Sequence, residues 1–289
     1  MNVIDLLFCY FLYSFIGWFG ESCYCSIRPR KWVNRGFLRG PVCPIYGAGA
    51  MVLILIILPL RDLHTPSLFI NEAIVFAVGM VVCDAVEFAT SYIMEKIFNA
   101  RWWDYSGMRF NIQGRICLTH TFYWGTAACL FAFVLHPFID TFLIQEINAA
   151  SRAIIVYICL TVFVLDLIDT VLNALVIRKY STQLKQLSDD VADFAMLAYS
   201  VVGAKISTVT EERRTELLHQ LGELRGRYDR YNADAHERRN RSKERLMRAF
   251  PFIKEGLGRQ QGVLSDLFDD LKEKITDRAK TASQEEDKK

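Results

Sequence analysis

Asp84, Glu87 and Ser91 stand at i, i+3 and i+7 inside a long apolar run, the spacing of a single helix face. Asp166, Asp169 and Asn173 repeat that spacing in a second run, and Glu21 shares a face with Ser14 in a third. A carboxylate in hydrocarbon costs several kcal/mol, so faces of this kind turn inward and find partners. The available cations are Arg35, Arg39, Arg101, Arg109 and Arg115. Such a set can build a structural ion-pair network between helices, or a site for a substrate or ion. It can also hold a lipid or phosphorylated headgroup, with arginines gripping phosphate. Asp84 and Glu87 would then be the oxygen ligands of a divalent metal such as Mg²⁺, the one cofactor these residues suggest. His120 reads as a packing residue before it reads as a proton carrier.

These residues lie on five segments long enough to cross a bilayer, which takes about 20 apolar residues. The segments are roughly 4–24, 42–60, 68–93, 116–135 and 152–177. The first carries Asp5 and no early Lys or Arg, so it does not read as a cleaved signal peptide. Basic residues crowd the first and third connectors and the stretch after the fifth segment, while the second and fourth connectors offer only Arg61 and Arg152. That alternation puts the N-terminus outside and the C-terminal region in the cytosol. Glu21, Asp84, Glu87, Asp166 and Asp169 then all sit at mid-depth or nearer the cytosol, as do Tyr46 and His120. The expected fold is an all-α membrane protein. Residues 1–178 form the transmembrane domain, and residues 179–289 form a cytosolic helical hairpin or coiled coil with a disordered tail.

The connector at 34–49 reads NRGFLRGPVCPIYGAG. Breaks of this kind are tolerated at membrane depth where the freed backbone faces protein or water, so we read it as the floor of a polar site. In the third connector Trp102 and Trp103 suit an aromatic belt, and Asp104 between aromatics is a candidate site residue. The eight cysteines fall in the apolar part and read as buried thiols; Cys23, Cys25 and Cys43 meet no standard metal spacing.

Beyond Ser181 the pattern is helical and soluble. Leu184, Leu187, Val191 and Phe194, then Leu217, Leu221, Leu224 and Tyr228, make heptad-like seams on either side of a break near 203–210. A basic run from Arg238 to Arg248 ends at Pro251. It reads as a solvated face or as a polybasic signal for anionic lipid; acids interleave it, and no nucleic-acid-binding motif accompanies it.

Several motifs occur in a recognisable order: Tyr13-Ser14 with Gly17-Trp18 and Glu21, Asn34-Arg35-Gly36-Phe37-Leu38, Cys43-Pro44-Ile45-Tyr46-Gly47, Trp102-Trp103-Asp104-Tyr105-Ser106, Asn111, and Gly114-Arg115-Ile116-Cys117-Leu118. Over about the first 140 residues the chain resembles the bacterial membrane family described as putative ABC-transporter type IV, or CmpB-like permeases. The segment from Arg248 to Pro251 also resembles the tail of such proteins. The resemblance implies a multi-pass protein of the bacterial cytoplasmic (inner) membrane that works as a permease subunit; Asn34, Arg35, Tyr46, Asn111 and Arg115 join the acids as our candidate substrate- or ion-binding residues. The chain has no G-x-x-x-x-G-K-[ST] loop, so the ATPase must be a separate subunit, and five spans suggest a homo-oligomer. Two rival readings are a membrane-embedded enzyme acting on a lipid or phosphorylated headgroup, and a non-catalytic scaffold that recruits a partner through its coiled coil.

Overall fold

A computed structural model describes residues 2–62, 67–203, 211–237 and 241–286. The chain divides into two compact units, Met1–Ala174 with Ser242–Phe252, and Leu175–Arg241 with Ile253–Lys289.

The first unit contains α1 (Val3–Ile27), α2 (Pro44–Arg61) and α3 (Leu68–Phe98), then the short antiparallel strands β1 (Asn111–Ile112) and β2 (Ile116–Cys117). The fourth span begins as α4 (Leu118–Leu130) and runs through a π-helical turn at Phe131–Leu135, the single turn α5 (His136–Ile139) and a second π-helical turn at Asp140–Ile144. The fifth is the start of α6 (Ala149–Gly203). Five helical stretches, at Val3–Ile27, Pro44–Arg61, Phe69–Phe98, Leu118–Ile144 and Ala149–Ser200, are long and apolar enough to cross a membrane. The fourth starts two residues later than the sequence suggests, because Ile116 and Cys117 are taken by the hairpin. It also ends at Ile144 rather than near 135.

Local chemistry accounts for these boundaries. Asn2 and Asp5 form a reciprocal capping box at the start of α1. Pro44 opens α2, where its missing N–H costs nothing. Asn99 ends α3 in the left-handed conformation, with its N–H on the carbonyl of Glu95. Gly114 (φ +68°) turns the β-hairpin, and a Cβ there would strike Asp104 and Ser106. The first π-helical turn has a cause in Pro137. In π register the carbonyl of Ala132 faces residue 137, which has no N–H to give, and Arg61 Nη1 donates to it instead at 3.0 Å.

The core of this unit is apolar and lies between α1, α2 and the fourth span, around Phe11, Ile54, Ile57, Ala128 and Phe131. On its outside Leu55, Phe69, Val81, Val134 and Ile154 are each more than half exposed. In water each such side chain would forgo about 1.5–3 kcal/mol of burial. Acyl chains remove that cost, so apolar residues inside and outside together are the signature of a lipid-facing bundle.

In the second unit the rest of α6 and α7 (Glu211–Glu237) bury the seams expected from sequence, including Leu184, Val191 and Leu221, and α9 (Pro251–Glu286) adds the buried Leu264 and Leu271. Tyr180, Asn232 and Gln261 share one hydrogen-bonded knot, and Arg227 pairs with Asp190 at 2.8 Å. Of the break expected near 203–210, Gly203 ends α6 and residues 204–210 lie outside the described residues, as do the basic residues Arg238 and Arg239. Helix α9 continues to Glu286, into the charged tail.

Candidate functional site

Four helices bring polar groups to one end of the first unit. From α1, Glu21 meets the loop residue Arg35, Oε1 to Nε 3.3 Å, while the Arg35 N–H rests on Ser22 Oγ at 3.3 Å. Gly17, one turn earlier, lets the Tyr46 ring of α2 lie directly on α1, since a Cβ there would overlap that ring. The Tyr46 hydroxyl interacts with Glu21, and its ring centroid is 6.4 Å from that of Trp124 on α4. From α3, Glu87 is 5% exposed and accepts from Tyr105 (3.0 Å) and from the Trp124 indole (2.8 Å). One turn away Asp84 accepts from Thr121 at 2.6 Å. Glu21 and Asp84 are both close enough to act on Glu87 electrostatically. His120 stacks on Tyr105, centroids 4.4 Å apart, with Nδ1 3.0 Å from Cys117 Sγ.

The loop after α1 forms the next layer. Asn34 Oδ1 accepts from the Trp18 indole and from the Gly36 N–H, and its amide donates to the Arg39 carbonyl. Asp166 of α6 accepts from two successive N–H groups, Arg39 at 3.0 Å and Gly40 at 2.7 Å. Asp169 pairs with the Arg39 guanidinium at 3.2 Å. Cys43 closes the loop with its N–H on the Ser14 carbonyl. Burial pushes its thiol up to about 12; Glu21 adds to that rise and Arg35 opposes it.

A neighbouring network uses the third connector. Arg115, 8% exposed, pairs with Glu95 at 2.7 Å, donates to Ser91 and lies over the Phe88 and Tyr92 rings. Arg101 bridges Glu95 and Asp104. Burial alone would raise the Asp104 carboxyl, but hydrogen bonds from the Ser106 hydroxyl and N–H, together with Arg101, hold it below its ordinary value. Asn111 accepts from the Gly114 N–H and donates to the Met108 and Ser106 carbonyls, so it shapes the hairpin.

The expected residues therefore sort into three groups. Glu21, Arg35, Tyr46, Asp84, Glu87 and His120 gather at one place. Asn34, Asp166 and Asp169 hold the loop that carries Arg35. Asp104, Asn111 and Arg115 brace the third connector. Arg115 balances Glu95 rather than Asp84 or Glu87, because the hairpin aims it about two turns beyond Glu87 along the same α3 face. Among the described residues no group of three or more His, Cys, Asp or Glu side chains is arranged to hold a metal ion. Asp84 and Glu87 take neutral donors, the hydroxyls of Thr121 and Tyr105 and the indole of Trp124. All eight cysteines are free thiols.

Sequence reading missed Thr121, Trp124, Tyr105 and Glu95. Glu95 continues the face of 84, 87 and 91 by one more turn, and Thr121 and Trp124 share a face three residues apart, so helical spacing alone could have found them.

No curated protein matches the chain, and no solved structure does. Residues 8–171 match the family described as Putative ABC-transporter type IV, a stretch that contains all six gathered residues. The chain spans a membrane several times, and it belongs to that family.

Proposed function

We propose that the protein is the membrane subunit of an ABC-type transporter, and that the cluster of Glu21, Arg35, Tyr46, Asp84, Glu87 and His120 is its substrate-binding site. One observation carries this reading. Carboxylates from α1 and α3 converge within the bundle, and those of α3 are met by hydroxyl and indole donors rather than by cations. A network serving only to tie helices together would pair each acid with a base, as happens at Glu95. Acids met by neutral donors keep a charge available for a ligand or for a proton. Basic residues at this end (Arg35, Arg39, Lys96, Arg101, Arg115) support a cytosolic opening, by the bias of basic loops toward the cytosol. ATP hydrolysis then belongs to a separate subunit.

The test uses tagged full-length protein isolated from its native membranes and reconstituted in liposomes. An ATP-hydrolysing subunit should accompany it, and Glu87→Gln should uncouple hydrolysis from transport, since the amide keeps the shape but loses the charge. Isolation without any ATPase, or a Glu87→Gln protein with undiminished turnover, would overturn the proposal.

A further inference from the structure

Arg245 lies in α8 (Arg241–Ala249), within the one later stretch, Ser242–Phe252, that rejoins the first unit; the residues on both sides of it belong to the second. It lies outside the stretch matched to the family. Its guanidinium donates to three successive loop carbonyls, Gly36 at 2.9 Å, Phe37 at 2.7 Å and Leu38 at 2.6 Å. Three neighbouring carbonyls in a loop with no strand or helix of its own require donors when buried, and Leu38 is fully buried. Arginine suits the task because one planar group presents several N–H donors in fixed directions; the single nitrogen of lysine cannot do so. Burial lowers the pKa of this guanidinium below its ordinary value, with Asp166 acting the other way.

Phe250 follows α8 within the same segment. It is 8% exposed and packs edge-on against Trp102, centroids 4.6 Å apart. Its ring also lies beneath Arg35, with Cζ 4.7 Å from the centroid. Arg35 is thus held at its backbone by Ser22, at its head by Glu21 and along its face by Phe250. The three residues that follow it in the chain hang from Arg245.

We infer that Arg245 and Phe250 are positioning residues of the polar site: they fix the 34–40 loop so that Arg35 reaches Glu21, and the site is incomplete without this distant segment. The inference rests on reading the Glu21 cluster as a binding site, but its test does not need transport.

Cys43 reports on the loop, because its thiol is buried and feels both Glu21 and Arg35. In full-length protein keeping Cys43 as the sole cysteine, alkylation by a charged maleimide should be slow. Arg245→Ala should speed it about tenfold or more, since reaction follows access and thiolate fraction. Guanidinium ions should slow it again by refilling the vacated place, Arg245→Lys should fall between, and Phe250→Ala should speed reaction by less. A folded Arg245→Ala protein that reacts at the starting rate would overturn the inference, as would acceleration that guanidinium leaves untouched. If Arg245→Ala does not fold, Arg245→Lys decides: reaction at the starting rate overturns it. Glu87→Gln should leave Cys43 reactivity unchanged, so failure of the transport proposal and failure of this inference are read in separate experiments.

Discussion

The two ends of the helical bundle both contain ion pairs and differ in how two acids of α3 are met. At the end carrying Arg61 and Arg152, cations are tied to backbone and acids to cations. Arg152 donates to the Ile144 and Ile147 carbonyls and pairs with Asp5 at 3.0 Å; Arg61 serves Ala132 and pairs with Asp62 at 2.8 Å. The buried His136 there simply accepts or donates across to Tyr13 at 2.8 Å. At the other end Arg35 and Arg115 hold Glu21 and Glu95, but Glu87 and Asp84 accept hydrogen bonds from Tyr105, Trp124 and Thr121, all neutral donors. The first arrangement closes a helix terminus and repairs a proline gap. The second leaves acidity in place at depth, which has a cost in stability and suits binding.

Substitutions at the two ends should separate these roles. Arg152→Ala should cost the most, about 3 kcal/mol, because it strands the part-buried Asp5 carboxylate and two carbonyls. Thermal unfolding in detergent should record that loss. Asp166→Ala should cost about 2 kcal/mol by removing the acceptor for two loop N–H groups. Its further effect should be faster proteolysis of the loop near Arg39. Trp124→Phe removes one donor from buried Glu87 and should cost about 1 kcal/mol in the same melts while impairing transport far more than Arg152→Lys does. If Trp124→Phe and Arg152→Lys impaired transport alike, the distinction between the ends would be lost.

The smallest effect is a pH dependence outside the spans. Asp104 is held below its ordinary value of 3.8, so the unfolded chain takes up its proton first on acidification. Its contribution to stability is therefore complete above about pH 4 and fades only as pH falls through the lower folded value. Asp104→Asn should lower stability at pH 7 by about a few tenths of a kcal/mol, consistent with a surface ion pair, and leave the melt nearly unchanged at acid pH, where the carboxyl is protonated in both states.

How far the sequence led can be judged from particular residues. The spans were legible because length and apolarity suffice, and the shared depth of Glu21, Asp84 and Glu87 followed from spacing. Which arginine served which acid was not legible. Arg115 and Arg35 look alike in sequence, yet the left-handed turn at Gln113 and Gly114 commits one of them to Glu95. The basic run around Arg245 read as solvated or lipid-bound, because a demand from three loop carbonyls some 200 residues away leaves no mark on local composition. The first π-helical turn was equally hidden: Pro137 announces a disturbance, but only the packing of Arg61 shows how it is absorbed.

The most direct measurement is the side from which water reaches Glu87. A Glu87→Cys protein with its native cysteines replaced is exposed to a membrane-impermeant, charged thiosulfonate in right-side-out and inverted vesicles. Modification in inverted vesicles alone is the expected result, with Asn148→Cys modified in right-side-out vesicles as the opposite marker. Modification of residue 87 from outside, or by lipid-soluble reagents only, would contradict a polar site open to the cytosol.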